Sequence, residues 1–361
     1  MNFVIGPVNT LGHPFPNLHE VPIRRQIGDH TVIAFGQKWI YSGLEFIPPG
    51  DVDAVLLWDP GWLRNGMYTR WLIDEIGKLR KLANEWDCPV FGLSSDWFAT
   101  WGIGGSGMHG TMGALRELDG VVIDHVGAAS LRSTLPVNIK FHHSDYRHRE
   151  IVELSGFLHA GKLPTMGVEN PPPVKPTKQR SIDVCVISNL YPGLVVHRSY
   201  FFEAARKICE RRGWSFVHRS RVRPEDMEEL YLDSKVVLNV ALGTQANCRV
   251  YEALACGAIL VTDGFNIDLG GAPCSKFHNI YELETSLVAS LRAPRSIQDL
   301  GLEWAARHTP EKQWAKVLDA LGPALSRTRE ARAARRAWQL DMDEKALTAP
   351  RTNDGRPVIL V

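Results

Sequence analysis

Residues 235–263 read KVVLNVALGTQANCRVYEALACGAILVTD, and the succession of element types in this stretch decides how the rest of the chain is understood. Residues 236–240 (VVLNV) are a β-branched apolar run with one polar interruption, the composition of a strand buried on both faces of a parallel sheet. Gly243-Thr244-Gln245-Ala246 breaks the run. Asn247 is an N-cap candidate, because its side-chain oxygen can accept from a free amide of the first helical turn, and Gly257 suits the left-handed position that ends a helix. Residues 258–261 (AILV) supply the next buried strand, so the unit is a βαβ crossover. Such a crossover places its loop and helix N-terminus at the carboxyl edge of the sheet, where backbone amides and the helix dipole favour an anion such as a diphosphate. Arg249 and Glu252 are three apart and share a helical face near that end. A guanidinium can fork onto phosphate oxygens, and a carboxylate can accept from both hydroxyls of a ribose.

The pattern N-x-R-V-Y-E-A-L-A-C-G-A-I-L-V-T-D over residues 247–263 resembles the donor-site signature of GT-B glycosyltransferases, closest to the group 1 and spore-maturation CgeB-like branch. The resemblance implies two facing Rossmann-like doubly wound domains, a ribose held by Glu252 and a diphosphate held by basic residues nearby. It departs from many group 1 enzymes at Thr244, where those carry a second acidic residue.

Composition narrows the class. A chain of 361 residues with 44% hydrophobic content can bury a large core, and its length favours two domains. The formal net charge of +1 gives no global electrostatic case for nucleic acid. The apolar runs fall short of a membrane span, and the N-terminus MNFVIGPVNT does not read as a signal peptide, so a cytoplasmic protein is expected. The six cysteines form no CxxC pair and read as reduced, mostly buried thiols.

In the first half, residues 2–5, 32–35, 54–58, 90–93 and 121–123 read as strands, and residues 68–85 as a helix. The loop expected from Gly6 onward carries His13 to the carboxyl edge, and the strand over 90–93 delivers Asp96 there. Either side chain could take the proton of an acceptor hydroxyl. Each also has an ordinary reading, His13 as a surface residue on a turn and Asp96 as a helix cap. Pro171-Pro172-Pro173-Val174-Lys175-Pro176 is a stiff connector. It divides an acceptor domain over residues 1–170 from a donor domain over 177–325.

The second half restarts with a strand over 182–187 and a helix over 198–212 stopped by Gly213. Arg198 opens that helix, where a cation is locally unfavourable, which hints at an anionic partner; an exposed surface arginine is the alternative. Arg219 belongs to a basic loop where, by resemblance, a GT-B fold reads the nucleotide base. Pro224 opens the next helix with acidic residues in its first turn. Residues 326–361 read as a basic helix and tail, either touching an anionic acceptor or presenting a solvated face.

The resulting expectation is a transferase moving a hexosyl or pentosyl group from a nucleotide-sugar to a hydroxyl, without metal or further cofactor. Arg198, Arg219, Asn247, Arg249 and Glu252 form its donor site, and Asp96 or His13 is its base. The acceptor is a glycan, a lipid, a protein or a modified nucleic-acid base. A nucleotide-sugar epimerase and a non-catalytic nucleotide-binding protein are the alternatives.

Overall fold

A computed structural model describes residues 1–8, 23–36, 52–58, 80–93, 119–124, 150–154, 174–188, 196–240, 247–264 and 269–348. Seven strands make the first sheet: β1 (Asn2–Val8), β2 (Ile23–Ile27), β3 (His30–Gly36), β4 (Ala54–Trp58), β5 (Val90–Leu93), β6 (Gly120–Asp124) and β7 (Glu150–Leu154). Their order is β2-β3-β1-β4-β5-β6-β7, and only the β2–β3 pair is antiparallel. The loop expected from Gly6 starts later. β1 runs on to Val8, with a register shift against β3 between Ile5 and Val8.

The second sheet contains β8 (Ile182–Ile187), β9 (Phe216–Arg219), β10 (Ser234–Asn239), β11 (Ile259–Asp263) and β12 (Cys274–Phe277), all parallel, in the order β12-β11-β10-β8-β9. Its helices are α1 (Val196–Arg212), α2 (Pro224–Leu232), α3 (Cys248–Ala255), α4 (Ile280–Leu291) and α5 (Arg295–Arg307), followed by α6 (Pro310–Thr348). Side chains alternate across a strand, and both faces of this sheet are covered. Cys185, Ile187, Val237 and Leu260 enter one core with residues of α2, α3 and α5. Val184, Val186, Val236, Leu238, Ile259 and Val261 enter the other with α1 and α4. Two-sided burial explains why these strands read as continuous apolar runs. It also silences the thiols: burial pushes Cys185 up to about 11 and Cys209 up to about 12.

The connector is fastened to this sheet at its amino edge. Arg180 is buried and donates to the carbonyls of Lys175 (3.1 Å), Tyr231 (3.2 Å), Ser234 (2.6 Å) and Cys256 (2.8 Å). Tyr231 lies in the last turn of α2 and Cys256 caps α3, so one cation satisfies orphan carbonyls at the negative ends of two helices. Burial still pulls its guanidinium down to about 10. Gly257 completes the contact. Its φ is 65°, and a Cβ there would lie 2.6 Å from Val174.

α6 begins at Pro310, well before Ser326, where the basic helix was expected, and packs on the first sheet. Trp314, Val317, Leu318, Leu321, Ala324 and Leu325 share a core with Phe3, Ile5, Val32, Leu56 and Phe91. Two of its arginines bond to the first domain. Arg329 pairs with Asp53 (2.6 Å), and Arg332, only 8% exposed, donates to the Cys88 carbonyl, to Asn84 (3.2 Å) and to Asp119 (3.3 Å). α6 thus returns from the second sheet to pack on the first. No helix among the described residues is long and apolar enough to cross a membrane.

Candidate functional site

β8 is the starting strand of the second sheet. The chain moves from it outward to β9, then returns to build β10, β11 and β12 on its other side. The carboxyl ends of β8 and β10 are therefore neighbours from which the chain departs in opposite directions, the topological switch point where open α/β sheets bind ligands. Ile187-Ser188 ends one strand and Asn239-Val240 the other.

Three side chains tie this point together. Arg198, in the first turn of α1, is 2% exposed. Its Nε donates to the Val240 carbonyl at 2.8 Å and its Nη1 to Ser188 Oγ at 3.2 Å, so it spans the two strand ends from below. This burial sets aside the surface-arginine reading. Asn247 caps α3 by accepting from the Arg249 amide at 3.1 Å, while its own Nδ2 donates to Asn239 Oδ1 at 3.1 Å. Arg249 Nε donates to the Ile187 carbonyl. The N-terminus of α3 is thereby anchored to β10 through Asn247 and to β8 through Arg249. Its first-turn amides and positive dipole end sit at the switch point.

Glu252 lies on the same helix at 1% exposure. Tyr231 of α2 is also fully buried, and among the described residues its hydroxyl has no hydrogen-bond partner. Burial first, and the charge of Glu252 second, push the Tyr231 phenol well above its usual range, so it keeps its proton. Arg219 ends β9 opposite Ile187 and is exposed, its Nη1 donating to the His218 carbonyl at 3.1 Å. His218 in turn reaches the Ser188 carbonyl at 3.3 Å.

Arg198, Asn247 and Arg249 thus converge on one edge, with Arg219 one strand away and Glu252 buried further along α3. His13, Asp96 and Thr244 lie outside the described residues. The sequence reading did not single out Ser188 and Asn239, although each is a polar residue closing an apolar strand, and that position was the available signal. Thr262 and Asp263, buried at the carboxyl end of β11, carry the same signal. Among the described residues, no group of three or more His, Cys, Asp or Glu side chains is placed to hold a metal ion.

A family model described as Glycosyl transferase-like matches residues 196–321, the part of the chain that supplies every one of these helical side chains. No curated protein matches the chain. Among solved structures, the OtsA apo structure superposes with a TM-score of 0.51 at 11% identity, covering 88% of this chain and 98% of that one. Anabaena Alr3699/HepE in complex with UDP and glucose gives 0.50 at 10% identity, over 89% of this chain and 99% of that one. These likenesses are of fold, and the fold is the GT-B arrangement of two Rossmann-like domains.

Proposed function

We propose that the chain is a glycosyltransferase that takes a sugar from a nucleotide-sugar bound at the switch point of the second sheet and delivers it to an acceptor hydroxyl. One observation carries this reading: a helix N-terminus and two arginines are hydrogen-bonded at the β8–β10 edge, with the buried carboxylate of Glu252 on the same helix, inside the segment matched by the glycosyl transferase-like family. The CgeB-like branch is the nearest by motif.

The chemistry assigned to each group follows from its type. Transfer breaks the bond between the anomeric carbon and a diphosphate oxygen, leaving a full negative charge on the diphosphate. Amides at the start of α3, with Arg249, stabilise that charge where it develops. Arg198 acts from beneath by fixing the strand ends and adding positive potential. This arrangement does without a divalent cation. Glu252 accepts from the ribose hydroxyls and sets the position of the nucleotide along the edge. Arg219 lies toward the base. The acceptor's proton goes to a first-domain group, Asp96 or His13. The acceptor is a glycan, lipid, protein or modified nucleic-acid base.

HepE was solved with UDP and glucose, which makes UDP the first nucleotide to test. The experiment is a thermal-shift panel of UDP, GDP, dTDP, ADP and CMP with their sugar conjugates, each with and without magnesium. A ligand at a hundredfold its dissociation constant stabilises by about 2.7 kcal/mol. A shift by one nucleotide family that is independent of magnesium is the expected result; the absence of any shift contradicts the proposal.

A further inference from the structure

We propose that the side-chain amide of Asn239 is a hydrogen-bond donor to the diphosphate of the nucleotide-sugar, a contact made from the sheet in addition to those of α3 and Arg249. The inference rests on the donor-site reading above and adds to it a buried residue of β10.

Asn239 closes β10 and is 2% exposed. Side chains alternate along a strand, and Val237, two residues earlier, enters the core shared with α3, so Asn239 lies on the α3 face of the sheet. A chain of hydrogen bonds fixes which end of its amide points where. A backbone amide only donates, so the 3.1 Å contact from the Arg249 amide identifies Oδ1 of Asn247 and leaves Asn247 Nδ2 as the atom facing Asn239. That nitrogen also only donates, so Asn239 turns its Oδ1 to it at 3.1 Å. Nδ2 of Asn239, on the same carbon, is the end left over. It is buried and, among the described residues, has no hydrogen-bond partner. A buried donor left in this state costs about 1–3 kcal/mol, and one in a folded chain calls for a reason.

The surroundings define the partner by its chemistry. Asn239 is bonded to the N-cap of α3, so its orphan donor sits beside the first-turn amides and the positive end of that helix. The acceptors described at this edge are engaged. Val240 O and Ser188 Oγ take Arg198, Ile187 O takes Arg249, and the two asparagine oxygens take Asn247 Nδ2 and the Arg249 amide. Donors are thus gathered where acceptors are already in use, and the complement is a group that only accepts. A water or a hydroxyl brings hydrogens that need acceptors of their own. A diphosphate brings several oxygens and no hydrogen, and its charge is what the helix terminus and the guanidinium of Arg249 favour.

The test is calorimetric titration of UDP, and saturation-transfer NMR of uridine, against the full chain and two variants. Asn239→Asp keeps an oxygen to accept from Asn247 but adds a charge, whereas Asn239→Leu adds no charge but gives up that bond. Loss of the donor is the change common to both. The expected result is UDP affinity lowered about tenfold or more in each variant, the loss of one hydrogen bond to a charged group, with uridine, which has no diphosphate, within about twofold of the parent. UDP affinity retained in either variant overturns the assignment, and so does an equal loss of uridine. A crystal structure of the parent with UDP tests the contact without substitution. A diphosphate oxygen within about 3.2 Å of Asn239 Nδ2 is expected, and none within about 4 Å overturns the assignment. If the parent binds no UDP, the donor-site reading itself fails; if UDP binds at the β8–β10 edge without this contact, the assignment of Asn239 alone fails.

Discussion

Replacing Arg198 with methionine separates what the switch point needs for folding from what it needs for a ligand. The guanidinium donates to the Val240 carbonyl at 2.8 Å and to Ser188 Oγ at 3.2 Å, in a position 2% exposed. Hydrogen bonds to a charged group contribute about 1.5–3 kcal/mol each, which sets an upper bound near 6 kcal/mol for the pair, about twice the larger figure. Two terms act in opposite directions on that bound. The buried cation carries a desolvation penalty that methionine removes. The abandoned Val240 carbonyl costs about 1–3 kcal/mol if it finds no other donor. A net destabilisation of about 2 kcal/mol follows, and a unit of this size loses about 2–4 °C of melting temperature per kcal/mol, giving a fall of roughly 4–8 °C. The assay is thermal denaturation by circular dichroism with and without saturating UDP. Arg198→Met should melt lower and show a reduced UDP-dependent rise, because the strand ends lose their brace and the site its positive potential. A variant as stable as the parent with an undiminished UDP response refutes the role given to Arg198.

The same reasoning gives graded expectations elsewhere. Gly213 and Gly257 both have positive φ, at 66° and 65°, but only Gly257 is crowded. Gly213→Ala should cost about 1–2 kcal/mol for its left-handed backbone, and Gly257→Ala distinctly more by urea denaturation, since Val174 must also move. On α6, Arg329→Ala removes a half-exposed ion pair and should cost under about 1 kcal/mol. Arg332→Ala should cost about 3 kcal/mol, because it strips a buried partner from Asp119 and a donor from the Cys88 carbonyl. Asp119 also sets a pH dependence. Burial works against its ionisation, but the Arg80 hydrogen bond and charge, the Val90 amide and Arg332 outweigh it and hold the carboxyl below its usual range. A depressed folded-state pKa stabilises above the unfolded value near 3.9 and is lost as pH falls through the lower folded value. The stability gap between the parent and Asp119→Asn, measured by urea denaturation from pH 6 down to pH 2, should narrow below about pH 4.

Much of the second domain is legible in residues 235–263, because its strands are buried on both sides and its helix ends carry local chemical signals. Asn247 caps α3 as its side chain suggests, and Gly213 and Gly257 take the left-handed conformation that stops a helix. Edge strands are harder to read. β2 (IRRQI), β7 (EIVEL) and β12 (CSKF) lie at the margins of the two sheets and carry charged residues where an inner strand carries apolar ones, so none shows an unbroken apolar run. The site was half visible. Arg249 and Glu252 are neighbours on one helical face, which spacing alone predicts. The inward turn of Arg198 depends on a carbonyl 42 residues away, and no local pattern encodes it. α6 shows the same limit: its arginines look like a basic surface in sequence, yet Arg332 is defined by Asp119, 213 residues earlier.

The account turns on whether Glu252 holds a ribose, and calorimetric titration of UDP against 2′-deoxy-UDP, into the parent and into Glu252→Gln, measures that contact directly. The parent should prefer UDP about tenfold, the value of one hydrogen bond to a carboxylate. Glu252→Gln should bind both ligands with nearly equal, weaker affinity. An unchanged preference in Glu252→Gln, or no binding of UDP to the parent, contradicts the donor site proposed at the β8–β10 edge.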